Sequence, residues 1–260
     1  MIRTSRYTTI MSRKLEEVRS GAFRIEKVIV SKGTTLRTYS PQGFLYSDTF
    51  DANFPIVRLI EGEPDPQIPG LGLWMSDTPL EQESLRGPTH VAYGDVLEIG
   101  LGIGLFPTLL RRNKSVKSIT IVERGADLVP LVYHRIRYKK TKLVLADGEE
   151  WLKFCQATER KYDFIHIDVW ADLTAPMKEI EKWTKLAEPC LKKDGIIWCW
   201  LQELYNRIKD RLPQEPIKYP GPPAIYEPCL ICGKKLRNDY AGLCMDCADN
   251  MEISEVYVKT

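Results

Sequence analysis

The sequence predicts an α/β protein with a doubly wound, mostly parallel sheet, a β-rich amino-terminal extension and a small cysteine-bearing tail. Three observations predict it. Ten residues, Asp95 to Gly104 (D-V-L-E-I-G-L-G-I-G), join a short apolar run to three alternating glycines, and Leu105 to Arg112 follows with apolar residues at helical spacing. From there to about residue 200, apolar runs alternate with helical patterns, as strands joined by crossover helices do. Finally, four of the seven cysteines fall in the last 32 residues.

Taken in order, residues 1–20 are basic and polar, with one short helix expected in S-R-K-L-E-E-V-R. Strand patterns follow in F-R-I-E-K-V-I-V, T-L-R-T-Y-S and I-V-R-L-I, and Pro64, Pro66 and Pro69 end the region. Asp77 or Thr78 can cap a helix that has Pro79 in its first turn. After the glycines, strands are expected at 118–123, 141–147 and 162–168 and in G-I-I-W-C-W-L. Helices are expected in A-D-L-V-P-L-V-Y-H-R-I-R-Y, in G-E-E-W-L-K-F-C-Q-A and from Met177 to Leu191, with K-K-D-G ending the last. Leu201–Leu212 reads as helical, and six prolines between 213 and 228 read as an extended linker. The expected divisions are 1–88 (β-rich region and connecting helix), 89–212 (α/β domain), 213–228 (linker) and 229–260 (metal-binding tail).

The glycine turn lets a ligand approach the backbone at the carboxyl edge of a parallel sheet. It is not the dinucleotide fingerprint G-x-G-x-x-G/A, because the third small position would be Leu105 or Pro107. Nor is it a phosphate-binding P-loop, which needs Lys followed by Ser or Thr. Glu98, a charge within an apolar strand, is costly unless it has a partner. The stretch resembles E-x-G-x-G-x-G, the first motif of class I S-adenosylmethionine (SAM) dependent methyltransferases, whose fold spermidine synthases share. The resemblance covers about residues 72–200 and implies a Rossmann-like fold that binds SAM.

Under that resemblance the acidic strand ends acquire roles. Glu98 with Gly100, Gly102 and Gly104 forms the cofactor turn. Glu123, some 20 residues on, suits a ribose diol, because a carboxylate accepts from both hydroxyls. Asp147 with Gly148 in L-A-D-G-E-E-W-L resembles the element that meets the adenine amino group, although a helix cap explains Asp147 as well. Asp168, in H-I-D-V-W-A-D, is the leading candidate for contact with both acceptor and methyl donor, and Asp172 the second. D-T-P at 77–79 resembles a segment of guanidinoacetate-type methyltransferases that encloses cofactor and substrate, which makes Asp77 a third catalytic candidate. His166 reads as structural. Spermidine synthases carry two aspartates three positions apart where Asp168 and Asp172 are four apart, so aminopropyl transfer ranks below methyl transfer. A non-catalytic cofactor fold that acts through its tail is the remaining alternative.

In the tail, C-L-I-C-G and C-M-D-C are two C-x-x-C knuckles. Cys229, Cys232, Cys244 and Cys247 match a closed tetrahedral Zn2+ site of structural type, a zinc ribbon. Cys155, Cys190 and Cys199 stand alone in apolar elements, as small hydrophobes do.

Hydrophobic content of 43% and charged content of 28% are those of a chain with a substantial core. Lys plus Arg minus Asp plus Glu is 37 − 35 = +2, which gives no support to a nucleic-acid or membrane partner. The amino terminus lacks the apolar core of a signal peptide, and no window reaches the roughly 18 apolar residues of a membrane span. The expectation is a cytoplasmic enzyme with a small-molecule or protein methyl acceptor, its oligomeric state left open.

Overall fold

The computed structural model describes residues 1–39, 45–63, 72–170, 175–202 and 206. The four tail cysteines, Asp172, the proline-rich linker and nearly all of the expected helix at 201–212 lie outside those residues.

The amino-terminal region is an antiparallel sheet. After α1 (Ile10–Lys14) come β1 (Arg19–Ser20), β2 (Phe23–Val30), a hairpin of β3 (Thr35–Tyr39) and β4 (Leu45–Thr49), then β5 (Phe54–Glu61) and β6 (Leu73–Ser76). The main sheet of this region has the order β1-β2-β5-β6, and β3 pairs only with β4. The first helix thus sits earlier than expected: it ends at Lys14, and Leu15 turns extended and buries itself. Two short helices, α2 (Pro79–Ser84) and α3 (Arg86–Val91), lead into the second sheet, so a helix runs across the expected 88/89 division. Thr78 caps α2 by accepting from the Glu81 amide, and Pro79 occupies the first turn, where its missing N–H costs nothing.

The second sheet is parallel, with β7 (Gly94–Ile99), β8 (Val116–Glu123), β9 (Thr141–Leu145), β10 (Tyr162–Ile167) and β11 (Leu191–Cys199) in the order β11-β10-β7-β8-β9. It is a doubly wound, Rossmann-like α/β unit. The chain moves outward from β7 through β8 to β9, then returns to the far side of β7 as β10. The topological switch point therefore lies between β7 and β10, where such sheets open a crevice at their carboxyl ends.

Alternation along the central strands assigns the two faces. Leu97, Ile99, Ile165 and Ile167 point into one core with residues of α6 (Gly148–Ala157) and α7 (Ala175–Ala187). Val96, Phe164, Ile119 and Ile121 point into the other, against α4 (Leu105–Leu110) and a π-helical turn, Val129–Tyr133, that continues as α5 (His134–Ile136). Met11, Ile25, Val57 and Leu59 join this second core, so the amino-terminal sheet and the α/β unit share buried surface. Pro130 occupies the start of the π-helical turn. The helix expected to reach Leu191 ends at Ala187, followed by a 3-10 turn through Pro189. K-K-D-G therefore belongs to β11, where Asp194 takes φ 64° and the register with β10 shifts.

At the amino-terminal edge Lys192 binds two strands together. Its Nζ donates to Asp95 Oδ2 at 2.6 Å and Asp163 Oδ2 at 2.8 Å, while Asp163 Oδ2 also accepts from the Asp95 amide. Hydrogen bonds from Lys192 and Ser118 hold the Asp95 carboxyl below its ordinary range. At Asp163 burial works the other way, but Lys192 and the Asp95 amide outweigh it and the carboxyl again sits low. Carboxyls lowered in the folded state stabilise it above the unfolded value near 3.8, and that contribution is lost as pH falls through their folded values. Lys192→Met should therefore cost on the order of 1 kcal/mol at pH 7, because the cluster is partly exposed. The deficit should shrink toward pH 3, as thermal melts of the two proteins at each pH would record.

Candidate functional site

A cavity of about 700 Å³ opens at the carboxyl ends of β7, β8, β9 and β10, within the range of small-molecule sites, about 300–1,000 Å³. On its far side lie β6 and α2, which contribute Trp74, Met75, Ser76, Leu80 and Glu81.

The glycine turn forms the floor. Gly100, Gly102 and Gly104 all have positive φ, at 98°, 49° and 72°. At Gly100 a Cβ would overlap the Asp168 carbonyl oxygen, and at Gly102 it would overlap the sulfur of Met75. Gly104 starts α4 in the left-handed conformation, against Ile136 and Val132. The turn thus needs glycine for two reasons, its backbone angles and the close approach of its neighbours. Gly100 and Gly102 line the cavity; Gly104 does not and serves the packing of α4.

The acidic strand ends converge. Glu98, Glu123, Asp147 and Asp168, read from the sequence at successive strand ends, all line this one cavity, with Gly148 beside them. Glu123 accepts from the Leu101 amide through Oε2 at 2.9 Å and from the Gly125 amide through Oε1 at 2.7 Å, which ties the end of β8 to the glycine turn. Asp147 caps α6 through Oδ1, accepting from the Glu149 and Glu150 amides at 2.9 and 3.2 Å. It is both a cap and an exposed cavity carboxylate. A side chain at Gly148 would collide with Ile99 and crowd Trp183.

Glu98 is 3% exposed, and its Oε2 has no hydrogen-bond partner. Burial, reinforced by the charges of Asp168 and Glu123, raises its carboxyl well above the ordinary range. Burial pushes Asp168 up to about 7. Glu81 rises to about 8, first by burial and then by the nearby Asp168 charge. Burial is the first cause at all three, and the Asp168 charge adds to it at Glu98 and Glu81, as expected of carboxyls gathered in one poorly solvated site.

Sequence reasoning missed Glu81. At the third position of α2 it reads as an ordinary first-turn acid, and only the seating of α2 over the strand ends turns it toward the cavity. The same holds for Trp74, Trp170, Trp183 and Trp200, which line the cavity from four separate segments.

Asp77 is not among the lining residues. It is fully buried beneath β6, where Oδ1 accepts from the Val57 amide at 2.6 Å; Oδ2 is unpaired, and burial raises the carboxyl to about 6. The structure gives it a place in the joint between β5 and α2, not beside Asp168. Asp172 lies outside the described residues. His166 stacks on Phe106 at 4.1 Å, has neither ring nitrogen paired, and is pushed by burial down to about 3. It is a neutral mid-strand ring beside Glu98 in register, outside the cavity lining.

Among the described residues no cluster of His, Cys, Asp and Glu is arranged to hold a metal ion. No helix among them is long and apolar enough to cross a membrane.

No protein-family model and no curated protein matches the chain. Solved structures similar to it include a SAM-dependent methyltransferase candidate from Streptococcus mutans, 16% identical over 55% of this chain and 43% of that one, TM-score 0.39. Human methyltransferase-like protein 13 in complex with SAH is 19% identical over 45% and 59% of the two chains, TM-score 0.34. Spermidine synthase from Thermotoga maritima is 15% identical over 79% and 76%, TM-score 0.39. The chain spans less than half the length of the Streptococcus mutans protein.

Two predictions follow from the geometry. Gly100→Ala should destabilise the fold by about 1–3 kcal/mol, since it combines a strained φ with a backbone collision, and denaturant melts would measure it. Glu81→Gln should act in a pH-dependent way. In the wild type the folded carboxyl stays protonated to about 8 while the unfolded one ionises near 4.5. Folding then takes up a proton, and this group's contribution to stability falls as pH rises between those values. The glutamine variant should gain in melting temperature relative to wild type from pH 5 to pH 8.5; a constant difference would remove Glu81 from the buried site.

Proposed function

We propose that the chain is a SAM-dependent methyltransferase. One observation carries the reading: four carboxylates that the sequence places at consecutive strand ends line a single cavity around a glycine turn. Three features fit SAM. Gly100, Leu101 and Gly102 of the turn line the cavity, so a ligand there meets the turn directly. Glu98 offers an unpaired buried oxygen to a cationic group. Glu123, fixed by two amides, keeps lone pairs for a ribose diol. Glu98, Gly100 and Gly102 would hold the amino-acid end, Glu123 the ribose and Asp147 with Gly148 the adenine.

When bound, SAM supplies an electrophilic methyl group on a sulfonium. The chain's own work is then positioning, which supplies much of the acceleration in such a displacement. Asp168 stands at the switch point beside Gly100. With its carboxyl raised to about 7 it can accept a proton from the acceptor near neutral pH. The tryptophans and the β6–α2 cover exclude water from the acceptor side.

Aminopropyl transfer from decarboxylated SAM is the second reading. What favours it is the acid excess of the lining, in which Arg124 is the single base among the described residues and a donor carboxylate finds little positive charge. Calorimetry with SAM, SAH and decarboxylated SAM separates the two. Binding of SAM and SAH, weakened at least about tenfold by Glu123→Ala, is expected for a methyltransferase. Preference for the decarboxylated form would move the reading to aminopropyl transfer, and no binding of any of the three would end both. Methyl transfer should rise as pH passes through about 7, because Asp168 must be ionised to take the proton.

For the tail we propose one structural Zn2+ held by Cys229, Cys232, Cys244 and Cys247, a reading supported by the knuckle spacing alone. In so short a segment the metal supplies most of the folding free energy, on the order of 10–16 kcal/mol in comparable peptides. Elemental analysis of unchelated protein should return one zinc per chain, and Cys244→Ser should lower it to near zero while SAH binding persists. A wild-type content well below one would remove the site.

A further inference from the structure

We infer that the acceptor is a small organic ammonium ion, held between Glu81 on α2 and Asp168 after β10, against the tryptophan wall. The inference rests on the methyltransferase reading and names the substrate class of the same cavity.

Charge balance comes first. Beyond the half assigned to ribose and adenine, the lining carries Glu61, Glu81, Glu98, Asp168 and Glu179, with Arg124 the one base among the described lining residues. Glu179 is paired with Lys182 at 3.3 Å and Glu61 accepts from Trp74, which leaves Glu81, Glu98 and Asp168 without a basic partner among the described residues. Glu98, 3% exposed with an unpartnered Oε2, is a buried carboxylate that no side chain of the described chain compensates. Leaving such a group ionised without a cation is strongly unfavourable. SAM brings a single net positive charge: its sulfonium and ammonium exceed its carboxylate by one. That suits Glu98 but leaves Glu81 and Asp168, which line the same cavity, without a cation, and the Asp168 charge works against ionisation of Glu81. A second cation relieves that repulsion, whereas a neutral alcohol or thiol leaves it in place and a carboxylate or phosphate adds to it.

The aromatic lining points the same way. Trp74, Trp170, Trp183 and Trp200 line the same cavity, with Trp170 and Trp183 edge to face at 6.4 Å. Indole faces attract ammonium groups, more so where water is displaced, by about 2 kcal/mol or more. Trp74 is itself fixed, donating through Nε1 to Glu61 Oε2 at 2.6 Å. Acid and indole together form a site for a cation with an apolar body. The β6–α2 cover closes over the strand ends, which favours a small amine over a residue presented by another protein.

The chemistry balances. The acceptor enters as R–NH3+ and gives one proton to the Asp168 carboxylate. Its freed lone pair attacks the methyl carbon; the N–C bond forms as the S–C bond breaks, and the sulfur keeps the departing pair as a neutral thioether. The product, R–NH2–CH3+, keeps the positive charge beside Glu81, and Asp168 holds the proton until the product leaves.

The test is a binding series on the full chain saturated with SAH, read by calorimetry. Tryptamine, tryptophol and indole-3-propionate present one ring system with a positive, a neutral and a negative end, and putrescine presents cations without a ring. Tryptamine or putrescine should bind at least about tenfold more tightly than tryptophol, and indole-3-propionate should not bind. Glu81→Gln should weaken amine binding by a similar factor while SAH still binds. Should that variant not fold, the wild-type series decides alone. Equal binding of tryptamine and tryptophol, preference for the propionate, or no binding of either amine to SAH-loaded protein would overturn the inference and leave the methyltransferase reading standing. Failure of SAH itself to bind would overturn both.

Discussion

The structure depends on the contact at the switch point, where the exit of β10 crosses the exit of β7. The Asp168 amide donates to the Ile99 carbonyl at 3.0 Å, the Gly100 amide donates to Val122 at 2.9 Å, and the Asp168 carbonyl fills the space where any side chain at residue 100 would sit. One glycine therefore joins three strand ends. It brings Glu98, Glu123 and Asp168 to one opening, and it requires the backbone to turn with φ 98°. Without that crossing the strand ends would present separate carboxylates to solvent, and the burial that raises Glu98 and Asp168 would be lost.

Burial then turns geometry into chemistry. The amino-terminal sheet shares its core with the α4 face of the parallel sheet, and that packing carries β6 and α2 over the strand ends. Carboxyls that would be fully hydrated on an open sheet edge lose much of their water. Glu98, Glu81 and Asp168 all respond with raised proton affinity, and burial is the largest cause at each. Opposite logic rules the other end of the sheet. There Lys192 lies between Asp95 and Asp163, the carboxyls are lowered, and the arrangement is one of stability. Glu81, Glu98 and Asp168, without a basic partner among the described residues, line the cavity at the carboxyl edge, whereas the acids at the amino edge are compensated by Lys192.

His166 and Asp77 show that a buried polar group need not belong to the site. His166 stacks on Phe106 and stays neutral at mid-strand, and Asp77 holds the Val57 amide under β6.

The sequence by itself determined the parallel unit and much of its acid set. Alternation of apolar runs with helical patterns is a local signal. The bounds of β2 and α6 match it to the residue, because each begins or ends at a turn or cap that the sequence spells out: Gly21 before β2, Asp147 before α6. Glu98, Glu123, Asp147 and Asp168 were legible because strand ends are legible, and a doubly wound sheet gathers its strand ends along one edge. The early stop of α7 and the bulge at Asp194 were not. Both depend on the register that β11 must keep with β10. Glu81, the four tryptophans and the true place of Asp77 were decided by tertiary structure alone. They lie on segments far apart in the chain, and only the shared core of the two sheets fixes which of their faces meets the cavity and which meets the backbone of β5. Local patterns fix where a strand ends; what covers that end is set by long-range burial, which no single segment encodes.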